Sequence, residues 1–245
     1  MIGICVYSTI AIRAEAAHRS EMVTQLIYGE TYTVLEELSS GWMKIKCNYD
    51  DYVGYMPSVQ FKPMTYNHTP LLFSGTLVLD EVNNLVSKGA DIYVKENLVD
   101  VDEDELMDEF RIQLTPDQIR ENLFYHSTSM INTPYLWGGR SIFGIDCSGF
   151  TQLLYKICGI ALPRDAWQQE QVGTPVSFEE SILGDLAFFK NDNGKITHVG
   201  MVFGQHMIIH SSGSVRVDQL HETGIYNLDS KSITHVLHSI KRIVA

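Results

Sequence analysis

The stretch Asp146-Cys147-Ser148-Gly149-Phe150 constrains this chain more than any other, because it sets a cysteine where a glycine-bounded loop turns into an amphipathic helix. Phe150, Leu153, Leu154 and Ile157 then recur at i, i+3, i+4 and i+7, and Gly159 supplies the stop. Asp146 is the natural N-cap. Cys147 is therefore expected at a helix N-terminus, where unpaired N–H groups and the positive end of the macrodipole favour the thiolate, the nucleophilic form of cysteine. The alternative for this segment taken alone is a buried helix-start cysteine without chemistry.

The downstream histidines bear on that choice. Residues 196–211 read as a β-hairpin with a turn near Gly204-Gln205-His206. A three-residue turn places Phe203 opposite Met207 and Gly200 opposite His210. His198 then lies on the same face as a diagonal neighbour of His210, with Cβ atoms under ~8 Å apart. A two- or four-residue turn puts the two histidines on opposite faces. Two histidines on one hairpin face, with a helix-start cysteine, have the form of nucleophile, base and base-orienter.

At this point the sequence resembles the NlpC-type papain-like cysteine peptidases of bacterial cell-wall metabolism. The matching pieces are Tyr135-Leu136-Trp137-Gly138-Gly139, Asp146-Cys147-Ser148-Gly149-Phe150, Leu162-Pro163-Arg164-Asp165, Gly184-Asp185-Leu186, Thr197-His198-Val199-Gly200-Met201 and Ile209-His210-Ser211-Ser212-Gly213. They follow the family's order over residues 116–245. The resemblance implies that Cys147 is the nucleophile, His198 the general base and His210 the third polar residue that fixes the imidazole. It also implies that the Cys147 backbone N–H and the Tyr135 hydroxyl help hold the oxyanion. Cysteine precedes histidine, as in the unpermuted arrangement. Thr115-Pro116-Asp117 opens an expected helix through about Asn132, with Pro116 suited to the first turn.

Residues 1–65 read as short strands separated by polar turns: 5–13, 21–26, 31–38, 42–48 and 54–56. They resemble a bacterial SH3-like barrel through Ile12-Arg13-Ala14-Glu15, Ser20-Glu21-Met22-Val23, Tyr28-Gly29-Glu30, Gly41-Trp42-Met43-Lys44-Ile45 and Tyr52-Val53-Gly54-Tyr55-Met56. An appended barrel is commonly a wall anchor. In one branch of the peptidase family it instead lends a tyrosine to the substrate cleft, for which Tyr52 is the candidate and Tyr49 and Tyr55 are rivals. Residues 66–115 are assigned as linker or a degenerate second barrel. Within them 71–79 and 91–94 could be strands, 80–88 a short helix or turn, and 100–109 an acidic solvated run. The fold class is thus α+β, a small all-β SH3-like barrel preceding a papain-like NlpC-type catalytic domain.

A net charge of −12 argues against a nucleic-acid partner and against adhesion to an anionic membrane or wall polymer. Cys5, Cys47, Cys147 and Cys158 form neither a CxxC pair nor a zinc-ligand spacing, so a disulfide framework is not expected; His206, His210 and His221 lack the paired helical spacing of a metal site, and no cofactor is expected. Cys5, Cys47 and Cys158 read as buried thiols. The apolar 1–12 segment lacks a basic leader and a small-residue cleavage site, and no segment matches a membrane span. A reducing cytoplasm is the expected home.

By resemblance to the barrel-bearing branch, the expected activity is that of a γ-D-glutamyl-L-diamino acid endopeptidase. It would cut small murein peptides, L-Ala-γ-D-Glu-diamino acid, whose alanine is unblocked. Asp146, Ser148, Asp165 and Tyr52 are the positions where that branch holds the alanine ammonium and the glutamyl group. Ala166 stands where some relatives carry serine. The rival readings are a secreted autolysin with a wall-binding barrel and a catalytically silent wall-peptide-binding protein. The sequence assigns no oligomeric state.

Overall fold

A computed structural model describes residues 1–65, 71–72, 77–79, 85–92 and 114–245. The chain divides into two compact units, Met1–Thr115 and Pro116–Ala245.

The first unit is built on a six-stranded antiparallel sheet. Its strands, in spatial order, are Ile2–Ile4, Thr31–Leu38, Trp42–Cys47, Val53–Pro57, Thr9–Arg13 and Met22–Ile27. Alternation along Thr9–Arg13 and Trp42–Cys47 turns Ile10, Ile12, Met43, Ile45 and Cys47 inward, where they meet Cys5, Leu26, Tyr32 and Met56. The expected 5–13 strand starts only at Thr9, and a separate strand, Ile2–Ile4, precedes it. Cys5 pairs its N–H with Glu30 O at 2.9 Å, and its thiol reaches the Tyr7 carbonyl at 3.2 Å, so the chain turns before Thr9.

Further along, Leu71–Leu72 pairs with Asp91–Ile92, and Leu77–Leu79 with Leu85–Ser87. The last pairing corrects the helix-or-turn expectation at 85–87, where a Leu-Val-Ser triplet suits a strand once a partner is beside it; 80–84, and 73–76 of the expected 71–79 strand, lie outside the described residues. The acidic 100–109 run lies outside the described residues, as do 93–94.

The second unit packs helices against a seven-stranded antiparallel sheet. Its order is Thr174–Val176, Ser232–Arg242, Leu186–Lys190, Ile196–Gly204, Met207–Ser212, Ser214–His221 and Gly224–Asn227. Gly224–Asn227 also pairs with Ser232–Arg242, so the sheet closes on itself around Ala187, Phe189, Val202, Ile208, Leu220, Ile225 and Ile240. The Leu186–Lys190 strand is a buried core strand, and Asp185 before it is clamped by Arg242 at 3.0 and 2.8 Å.

Helix Pro116–Thr128 starts on its proline and stops four residues short of the expected Asn132. Turns occupy the gap, ending in the left-handed φ of 72° at Asn132, whose N–H goes to Val215 O rather than along the helix. Helix Cys147–Ile157 packs on the Ile196–Gly204 and Met207–Ser212 strands. Phe150, Leu153 and Leu154 are fully buried, which by area contributes about 1.5–3 kcal/mol each. Gly159, at φ 75°, ends the helix by donating to Lys156 O, and Ile160 N–H follows to Tyr155 O. No helix among the described residues is long and apolar enough to cross a membrane.

Candidate active site

Cys147 is the first residue of its helix, and Asp146 caps it by accepting from Gly149 N–H at 2.7 Å. Gly149 is required here: a Cβ would strike the Gly139 carbonyl. Asp146 also accepts from Gly138 N–H at 2.9 Å, so the Trp137-Gly138-Gly139 turn is fastened to the helix start. Arg164 completes the arrangement, donating to Asp146 Oδ1 at 3.1 Å, Oδ2 at 2.6 Å and Ser148 Oγ at 2.9 Å. The expected cap is present. The cation facing it was missed, although Arg164 stood inside the quoted Leu-Pro-Arg-Asp motif. Asp146 therefore faces a matched positive charge within the protein.

The thiol departs from expectation. Burial pushes Cys147 up to about 12, with the Asp146 charge adding to the rise. Backbone hydrogen bonds from Val199 and Ser148 and the Arg164 charge pull the other way without overcoming it. The helix N-terminus thus supports a sulfur that is neutral at rest, because desolvation outweighs the local dipoles.

The histidine hairpin reaches the expected result by a different route. The turn is the two residues Gln205-His206, so Gly204, not Phe203, faces Met207. A β-bulge between Val202 and Gly204 inserts Phe203 as an extra residue and restores the parity that the shorter turn removes. Val202 pairs with Ile208 and Met201 with Ile209, and His198 and His210 share a face. Gly200 makes room for them, since a Cβ there would sit 2.8 Å from His210 Cβ. His198 Nε2 lies 2.8 Å from His210 Nδ1.

Behind His210 stands a residue the sequence reading did not single out. His210 Nε2 is 3.0 Å from Asp218 Oδ2, and Asp218 also accepts from Arg216 Nε at 2.8 Å, Arg216 Nη2 at 2.9 Å and Leu228 N–H at 2.9 Å. Burial alone would raise this carboxyl, but His210, Arg216 and the Leu228 N–H together hold it well below the usual range. His198, His210 and Asp218 share strand parity with Val202, Ile208 and Leu220, and so form the polar end of an apolar interior. Sequence alternation hid Asp218, because Val215 and Val217 mark the opposite parity of the strand as apolar and Asp218 shares its own with Arg216.

His235 stacks on His198 with ring centroids 4.2 Å apart. His198 is held well below 6.5 by burial first, then by His210 and His235. Burial and His210 likewise lower His235 to about 4. A cavity of about 330 Å³ opens beside them, lined by Tyr135, Thr197, His198, His235 and the Ser211–Gly213 turn. Tyr135 is raised to about 12, mainly by burial, so its hydroxyl keeps its proton at neutral pH and can donate. Asp165 precedes the Ala166–Gln169 turn of helix, its N–H donating to Gln168 Oε1 at 3.1 Å. Among the described residues no group of three or more His, Cys, Asp or Glu is arranged to hold a metal ion.

Tyr52 belongs to the first unit. It follows the turn between Trp42–Cys47 and Val53–Pro57, packs partly on the barrel core and donates its N–H to Asp50 Oδ1 at 3.2 Å.

A free thiol at the start of a helix that packs on the two strands bearing an imidazole pair is the arrangement of papain-like thiol hydrolases. Residues 132–233 match the NlpC/P60 family, and residues 12–61 match the bacterial dipeptidyl-peptidase SH3 domain. A gamma-D-glutamyl-L-lysine dipeptidyl-peptidase of Bacillus cereus (strain ATCC 10987 / NRS 248) is 31% identical over 236 residues, covering 80% of this chain and 69% of that protein. Dipeptidyl-peptidase 6 of Lysinibacillus sphaericus is 28% identical over 247 residues, covering 85% and 88%. The crystal structure of an NlpC/P60 family protein from Bacillus cereus ATCC 10987 superposes with a TM-score of 0.76 over 100% of both chains at 20% identity, a likeness of fold. The chain belongs to the NlpC/P60 family.

Proposed function

We propose that this protein is a cysteine endopeptidase that hydrolyses the γ-D-glutamyl-L-diamino acid bond of small murein peptides bearing an unblocked L-alanine. The observation that carries the reading is the placement of Cys147 at a helix start, hydrogen-bonded by the residue that follows His198, in a chain so similar to enzymes named for that cleavage.

The chemistry needs a nucleophilic sulfur, an acceptor for its proton and donors for the oxygen that gains charge. With a neutral thiol and a neutral imidazole, the Cys147 proton passes to His198 as sulfur attacks the γ-glutamyl carbonyl carbon. The Cys147 backbone N–H and the Tyr135 hydroxyl donate to the oxygen that gains charge. Collapse breaks the C–N bond, and His198 returns the proton to the departing amine. Water, deprotonated by His198, then attacks the thioacyl carbon; the C–S bond breaks, releasing L-Ala-γ-D-Glu, and His198 returns the proton to the Cys147 sulfur.

Asp146, Ser148 and Asp165 form the substrate-binding set in this reading. Because Arg164 already balances Asp146, an absent ammonium does not strand a buried carboxylate there. The selectivity for a free amine then reflects charged hydrogen bonds alone, about 1.5–3 kcal/mol or roughly ten- to hundred-fold. A reducing compartment, as in recycling of freed wall peptides within the cytoplasm, fits four free cysteines.

The test is mass spectrometry of products from L-Ala-γ-D-Glu-L-Lys and, separately, from intact sacculi, with wild type and Cys147→Ala. We expect release of free lysine from the tripeptide by wild type alone. Efficient solubilisation of sacculi would support the autolysin instead, and tripeptide binding without turnover would support the silent binding protein.

A further inference from the structure

His198 and His210 each have two ring nitrogens, and in a neutral imidazole one nitrogen donates while the other accepts. Which is which is decided at the far end of the row. We propose that Asp218 is a positioning residue that sets the tautomer of both histidines and so leaves His198 Nδ1 as the proton acceptor. This deepens the proposed peptidase reading and rests on it.

Asp218 is fully buried and can act only as an acceptor while ionised. Arg216 donates to both of its oxygens, the Leu228 N–H to Oδ1 and the Asn227 amide to Oδ2 at 3.3 Å, so the carboxylate is surrounded by donors. His210 Nε2, 3.0 Å from Oδ2, must therefore carry a proton. In a neutral ring that leaves His210 Nδ1 as an acceptor. His198 Nε2, 2.8 Å away, must then be the donor, and the remaining lone pair of the His198 ring is on Nδ1. His210 is 1% exposed, so water has little access to reverse either hydrogen bond. The row His198–His210–Asp218–Arg216 reads in one direction because its terminal cation cannot accept.

An amide in place of the carboxylate breaks this logic. In Asp218→Asn the Nδ2 group must face one set of donors. Turned toward His210, it makes His210 Nε2 an acceptor, reverses both histidines and puts the proton on His198 Nδ1. Turned the other way, it meets Arg216 Nη2 and the Leu228 N–H.

The experiment records long-range ¹H–¹⁵N correlations of the whole protein labelled with ¹⁵N-histidine at neutral pH, which needs no substrate. We expect both His198 and His210 to be protonated on Nε2 in the wild type. A proton on Nδ1 of either ring, or a doubly protonated His210, overturns the proposal whatever the enzyme cleaves. In Asp218→Asn we expect a changed tautomer signal and kcat reduced on the order of 100-fold or more, with KM within a few-fold. Unchanged tautomers in that variant, with or without a fall in kcat, also overturn it. If Asp218→Asn does not fold, the wild-type spectrum decides.

Discussion

Arg164 holds both carboxylate oxygens of Asp146, at 3.1 and 2.6 Å, and the pair is almost entirely removed from solvent. It locks the residue before the cysteine, the serine after it and the Trp137-Gly138-Gly139 turn into one body. Removing the guanidinium leaves a buried negative charge. Arg164→Ala should therefore cost about 3–5 kcal/mol of stability, read by urea unfolding. Arg164→Lys should recover only part, because one ammonium cannot serve two oxygens in the plane of a carboxylate. A loss under about 1 kcal/mol for Arg164→Ala would show the pair to be solvated.

The two histidines should fail differently. His198→Ala removes the proton carrier and should leave essentially no turnover of the tripeptide. His210→Asn keeps a side-chain oxygen that can accept from His198 Nε2, so measurable activity should remain. Equal residual rates in the two variants would contradict the order of the row.

The neutral resting thiol has a direct optical consequence. The difference in ultraviolet thiolate absorbance between wild type and Cys147→Ala should stay flat from roughly pH 5 to pH 9 in the substrate-free enzyme. A step centred in the acidic range would mean a preformed thiolate–imidazolium pair. Alanine at Cys5, Cys47 or Cys158 should leave turnover within a few-fold, because those thiols sit buried in other parts of the fold.

Stability should weaken on mild acidification, and the sign follows from His235. Its folded value of about 4 lies below the ordinary 6.5, so between those limits the unfolded chain binds a proton that the folded chain refuses. The contribution is complete above pH 6.5 and is lost as pH falls toward about 4. His198, lowered in the same direction, adds to the loss. His235→Phe keeps an aromatic face on His198 without a titrating group, and Tm measured across this window should fall less steeply than in wild type. Parallel curves would contradict the burial of the His235 ring.

What could be read from the sequence was what neighbours along the chain decide. The cap, the apolar repeat and the glycine stop specify the Cys147 helix within a dozen residues, and alternation specifies most barrel strands. The shared face of His198 and His210 was legible only as a condition, because a bulge at Phe203 leaves no compositional mark. Arg164, Asp218 and His235 gain their partners through contacts 18, 8 and 37 residues away, respectively with Asp146, His210 and His198. Their chemistry appears only when the sheet closes and Leu-Pro-Arg-Asp returns to the helix start. The thiol expectation failed for a related reason: the helix end is local, whereas burial is a property of the whole fold.

The proposed function requires cleavage between γ-D-glutamate and the diamino acid in a peptide whose alanine amine is unblocked. The measurement is kcat/KM for L-Ala-γ-D-Glu-L-Lys against its N-acetylated form, with the scissile bond identified by mass spectrometry. We expect the free peptide to be preferred roughly ten- to hundred-fold. Equal rates on both peptides, or cleavage at any other bond, would contradict it.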